Sequence, residues 1–171
     1  GYKHEKAEFT VGNFYEQFGS GMIFRSYEQR QLGVDNAMDG LNVKFTPTPG
    51  LIVKAVYGRM RYNFDSRVEN SNGLVRGIDA EIDFNSFYGI LDSSKFKMTI
   101  GASFVSKFQN VSNSQYIMPK NVGSYGGRVD MKYGRFFLSG EHIIKENDPS
   151  FDNSYIYNNG HATLVNVGYS Q

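Results

Sequence analysis

Apolar and polar residues alternate with a period of two along most of this sequence, and that pattern dictates extended strands with one apolar face and one polar face. The clearest case sets Ile78, Ala80, Ile82 and Phe84 against Gly77, Asp79, Glu81 and Asp83. The stretch from Phe96 repeats it, with Met98, Ile100, Ala102, Phe104 and Phe108 on the same side as Phe96 and Lys97, Thr99, Ser103 and Lys107 on the other. A run of about a dozen residues is long for a strand in a soluble domain. Val129, Met131 and Tyr133 oppose Arg128, Asp130 and Lys132; Leu41, Val43 and Phe45 oppose Asn42, Lys44 and Thr46. Thr163, Val165, Val167 and Tyr169 oppose Ala162, Asn166 and Ser170, with Leu164 breaking the pattern. Weaker alternation at 7–15, 22–29, 51–62 and 136–144 brings the strand candidates to roughly nine.

Turn-forming residues separate these stretches: Gly19-Ser20-Gly21, Asp39-Gly40, Pro47-Thr48-Pro49-Gly50, Asn70-Ser71-Asn72-Gly73, Asp92-Ser93-Ser94, and Asn147-Asp148-Pro149-Ser150 through Asn158-Asn159-Gly160. Segments 65–74, 109–121 and 147–159 read as longer polar loops. No helix start and no helical period stands out. The predicted fold is therefore all-β, an antiparallel up-and-down meander over 1–171 as a single domain.

Composition then discriminates between a soluble sandwich and a membrane barrel. The chain holds 12 Tyr and 14 Phe, yet its mean hydropathy is -0.44, as expected of a wall with one apolar and one wet face. Strand lengths near the roughly 9–11 residues of a tilted membrane strand favour a transmembrane β-barrel or a segment of one. So do aromatics close to strand ends, such as Phe14, Tyr15, Phe45, Tyr62, Phe84, Phe108 and Tyr133. No apolar run approaches the length of a membrane helix. The 18 basic and 17 acidic residues are interspersed, which argues against a nucleic-acid partner. No cysteine is present, so neither a disulfide nor a thiolate metal site is available. Residues 1–6 do not read as a secretory leader, which implies cleavage or a start inside a longer protein.

The stretch Val11-Gly12-Asn13-Phe14-Tyr15-Glu16-Gln17-Phe18-Gly19-Ser20-Gly21-Met22, with Arg25-Ser26-Tyr27-Glu28 and Leu32-Gly33-Val34-Asp35-Asn36, resembles a poorly characterised family of Bacteroidetes-type outer-membrane β-barrel proteins. The resemblance is strongest over 11–62 and elsewhere is one of general style. It implies longer chains, of which this would be an incomplete barrel segment, and it brings no catalytic residues. An odd strand count and an end without a final aromatic residue point the same way.

The acidic ladder Asp79, Glu81 and Asp83 spaces carboxylates about 7 Å apart on one strand face. Arg59 and Arg61 share a face of the preceding strand, so a hairpin is expected to set them against that ladder. With Arg128, Asp130 and Lys132 they form a predicted lumen-facing charge array, serving either to sort solutes or to neutralise charge within the wall. Glu16, Arg25, Glu28, Arg30 and Asp35 form a second polar cluster, read as a fixed ionic network ahead of a partner contact. His4, His142 and His161 lack metal-ligand spacing. His142 beside Glu141 has acid–base potential, but a hydrolase built on it is the least supported function. Asp148, Asp152 and Asn153 read as turn formers rather than calcium ligands.

These features lead to an expectation of no catalysis, no cofactor and no metal. The expected role is a porin-like pathway or a scaffold subunit of a cell-envelope complex in the bacterial outer membrane, with outer-membrane lipid and other envelope proteins as partners. The alternative is a soluble secreted β-sandwich that binds glycans through exposed Tyr and Phe.

Overall fold

The computed structural model describes residues 1–61, 69–90, 94–110 and 116–170. The expected girdle position Tyr62, the turn residues Asp92 and Ser93, and residues 65–68 and 111–115 of the expected loops 65–74 and 109–121 lie outside them.

The chain is all-β and antiparallel. Nine strands form one sheet in the order β1 (Tyr2–His4), β2 (Ala7–Phe14), β7 (Met38–Thr48), β8 (Leu51–Arg61), β9 (Asn70–Asp83), β10 (Phe96–Phe108), β11 (Asn121–Tyr133), β12 (Phe136–Lys145) and β13 (Gly160–Tyr169). Each pairs with the next as a meander. Among the described residues β1 and β13 are the two edges, and the sheet is not closed. Between β2 and β7 the chain forms two small ribbons, β3 (Gln17–Phe18) with β4 (Phe24–Arg25) and β5 (Glu28–Gln29) with β6 (Val34–Asp35).

Several local expectations are corrected. The 22–29 stretch contributes only two-residue strands, because its apolar residues pack onto the sheet rather than into it. Asp39-Gly40 is strand, not turn: Gly40 faces Gly58, where a Cβ would lie 2.0 Å from the Tyr57 carbonyl. Asn70-Ser71-Asn72-Gly73 likewise opens β9 instead of forming a loop. Phe84 does not extend β9. Asp83 accepts a hydrogen bond from the Asn85 amide and caps the one-turn helix α1 (Phe84–Phe87).

The register assigns every strand residue to a face. One face carries Phe9, Val11, Leu41, Phe45, Tyr57, Ile78, Ile100, Phe104, Tyr125, Val165 and Val167, and all of these are exposed. The opposite, inner face carries Lys54, Asp79, Glu81, Ser103, Arg128 and Glu141. A water-soluble sheet puts its apolar face inward; this one does the reverse over most of its width. The apolar outer band also has defined limits. Phe96, Tyr133, Phe136 and Tyr169 are successive cross-strand partners in one row, with the Phe136 and Tyr169 rings 4.8 Å apart. Eight residues further along β10, Phe104 sits beside Tyr125. The two rows stand about 26 Å apart along the strand at ~3.3 Å per residue. One row beyond, Arg76 and Ser106 both donate to Asn121, and Phe108 stands exposed on the same face past this polar row.

Candidate functional site

The compact hydrophobic cluster lies on the inner face and is built by the segment joining β2 to β7. Phe18, fully buried, and Phe24, with ring centroids 5.1 Å apart, pack with Phe14 and Met38 against Val56, Val75 and Val105 of the wall. The cross-strand row Val56, Gly77, Val105 explains the seat. Gly77 has no side chain, and a Cβ there would lie 2.8 Å from Phe18 Cε2. A glycine within a strand thus marks the close approach of another element.

Polar ties extend this docking. Lys54 Nζ donates to Glu16 Oε1 at 2.9 Å and to the Gln17 carbonyl at 3.0 Å. Asn42 Nδ2 donates to Glu16 Oε2, and the Ser20 amide donates to Glu141 Oε2 at 3.0 Å. Residues 16–20 therefore run across the inner face from β7 and β8 to β12. Asp35 accepts from Tyr15 Oη and from the Ala37 amide, and forms an ion pair with Arg61.

Beside this segment lies the charged centre. Arg128 Nη1 donates to Asp79 Oδ1 at 2.6 Å and to Ser103 Oγ at 3.0 Å; Nη2 reaches Asp79 Oδ2 at 3.1 Å and Glu81 Oε2 at 2.8 Å. Arg128 sits on β11 and its acids on β9, so the side chain must cross β10. It does so over Gly101, which lies between Glu81 and Arg128 in their cross-strand row. A Cβ at Gly101 would stand 2.4 Å from Arg128 Cζ. A hollow beside this centre is lined by Gly19, Ser20, Asp130, Ser139, Glu141 and Asn166.

The structure thus joins Asp79, Glu81 and Arg128, and it places Asp130 and Lys132 on the same inner face. It does not join them to Arg59 and Arg61. Arg59 pairs with Leu74 and Arg61 with Asn70, whereas Asp79 pairs with Lys54. Arg59 therefore faces outward beside Asp39, and Arg61 binds Asp35. Asp83 leaves the ladder to cap α1. The cluster of Glu16, Arg25, Glu28, Arg30 and Asp35 is not one network. Glu16 binds Lys54, Glu28 pairs with Arg30 in an exposed bridge, Asp35 binds Arg61, and Arg25 lies over the Tyr27 ring at 4.2 Å. Glu141 and His142 point to opposite faces; the His142 ring contacts Thr163 Oγ1 at 2.7 Å on the outer side, where the two interrupt the apolar band. Among the described residues no group of three or more His, Asp or Glu could hold a metal. The docking of 15–37 on the inner face has one signal in the sequence, glycine at inner-face position 77.

Burial pushes the Glu16 carboxyl up, but the Lys54 ammonium, the Gln17 amide and the Asn42 side chain outweigh it and hold the group below its ordinary value. A depressed carboxylate contributes stability that is fully present above the unfolded value of roughly 4.3 and is lost as pH falls through the folded one. Hydrogen-exchange protection of the Ser20 and Ser26 amides, corrected for intrinsic rates, should therefore fall below about pH 4.3. The fall should be smaller in Glu16→Gln, which starts lower at neutral pH; an equal fall in both proteins would contradict this role for Glu16.

No match was found among curated proteins or among solved structures. A family model described as a family of unknown function (DUF6029) matches residues 1–171, and the chain belongs to that family.

Proposed function

We propose that this chain forms wall of a bacterial outer-membrane β-barrel and fills its inner side with its own segment 15–37, acting as a scaffold in the cell envelope. The observation that carries this reading is the outward apolar band between aromatic rows, opposite a charged face. At a strand tilt of about 35–45° the band's extent comes to roughly 18–22 Å, of the order of the roughly 25 Å of barrel exteriors, and its aromatic borders suit the two interfaces. A soluble sandwich has no use for so much exposed Phe, Tyr, Ile and Val. Filling by 15–37 favours a scaffold over passage. A porin-like pathway is the second reading, favoured by the acids around Arg128, and it predicts conductance from the purified barrel.

The test is fractionation of the chain in its native context, followed by electrophoresis with and without boiling. Recovery in outer membranes with heat-modifiable migration is expected. A strand-rich monomer that stays in solution without detergent would overturn the membrane reading and favour the glycan-binding sandwich.

A further inference from the structure

The inner face carries a second hollow whose chemistry differs from that around Arg128. Where residues 21–24 cross β11 and β12, two adjoining cavities of about 380 and 460 Å³ share Met22, Ile23, Ser124 and Lys145. Together they fall within the roughly 300–1,000 Å³ of small-molecule sites. Their floor is apolar although the neighbouring wall is charged: Val75, Val105, Val122 and Ile143 are all buried there. The rim is cationic, with Arg25, Lys107 and Lys145 against a single carboxylate, Asp148. Lys145 already takes Asp148 at 2.5 Å. Among the described residues Arg25 and Lys107 have no carboxylate partner, and Arg25 rests on the Tyr27 ring. The Lys107 stem lies close over Gly73, where a Cβ would come within 2.8 Å of Cε.

An apolar trough with two uncompensated cations at its mouth is complementary to one kind of molecule. We propose that this groove binds a single-chain amphiphilic carboxylate, its acyl chain against Met22, Ile23 and Ala162 and its head between Arg25 and Lys107. The chain displaces water from the apolar surface that Met22, Ile23 and Ala162 leave open above the buried floor, and the two cations supply charge-assisted hydrogen bonds that an uncharged head cannot form. The site does not depend on what covers the outer face.

The test uses the whole chain held in amphipol, so that no detergent competes. Titration with laurate should saturate at one per chain. Dodecanol should bind at least tenfold more weakly, and acetate should not bind. The double variant Arg25→Gln, Lys107→Gln, whose residues are exposed, should keep its circular dichroism and lose at least tenfold in laurate affinity. Equal binding of laurate and dodecanol, or affinity unchanged in the double variant, would overturn the proposal. So would one-for-one displacement of laurate by phosphatidylglycerol, which would assign the groove to membrane phospholipid. Laurate binding by a chain that stays in solution without detergent would remove the barrel reading and leave the groove standing.

Discussion

Replacing Arg128 by methionine is expected to destabilise the sheet by about 3–5 kcal/mol, because it leaves the buried Asp79 carboxylate without its cation. The methionine keeps much of the stem's volume over Gly101, so the loss is one of charge and hydrogen bonds rather than of packing. Four donor contacts disappear, two of them to Asp79, whose side chain is 3% exposed, and one to Glu81, which is 38% exposed. Glu81 can recover water; Asp79 cannot, and keeps only the Ser103 hydroxyl. The asymmetry yields a second expectation. Adding Asp79→Asn to Arg128→Met should restore part of the loss, since a buried amide costs less than a buried unpaired carboxylate. Asp79→Asn alone leaves Arg128 bound to Glu81 and should cost less than Arg128→Met. Denaturant midpoints of the four proteins under one set of conditions give these values. A loss below about 1 kcal/mol for Arg128→Met would mean that the ladder is an ordinary solvated face.

The faces of the strands were legible in the sequence because period two is a local property: each residue's side follows from its neighbours whatever the strand pairs with. Ile78, Ala80 and Ile82 against Asp79 and Glu81, and Arg128 with Asp130 and Lys132, all fell on the side expected. Register is not local. The polar run Asn70 to Gly73 looked like a turn, but β9 begins there, and the resulting pairing puts Leu74 opposite Arg59 and Lys54 opposite Asp79. A shift of one residue exchanges the faces, so Arg59 lies on the wrong side for the ladder. The true partner, Arg128, stands two strands away. Nothing in the alternation joins β9 to β11; only the missing side chain of Gly101 permits it. The same holds for 15–37, where the alternation at 22–29 suggested a wall strand. Phe18 and Phe24 are apolar because they face the inner wall, and an apolar residue in a segment laid on a sheet looks no different from one within it.

Phe18→Ala is expected to free residues 15–37 while the nine-strand sheet persists. A buried phenylalanine truncated to alanine costs about 3–5 kcal/mol, and here the loss falls on one interface, between the β3–β4 ribbon and the row Val56, Gly77, Val105. The remaining polar ties are Lys54 to Glu16 and the Gln17 carbonyl, Asn42 to Glu16, Ser20 to Glu141 and Arg61 to Asp35. The wall is held separately, by continuous backbone ladders from β7 to β13, so its strand content should not follow the segment. Because the chain has no cysteine, Ser26→Cys provides a single thiol probe at a buried position of the segment. Its labelling rate should rise about a hundredfold in Phe18→Ala, the equivalent of roughly 2.8 kcal/mol of opening. Gly77→Ala attacks the same contact from the wall and should give the same direction. Fast labelling with unchanged circular dichroism would establish the segment as a separately releasable filling. Loss of both together would make it part of the wall's own core, and unchanged labelling would show that Phe18 does not hold it. In the first case the charged face around Arg128 and Asp79 would open without the sheet being dismantled.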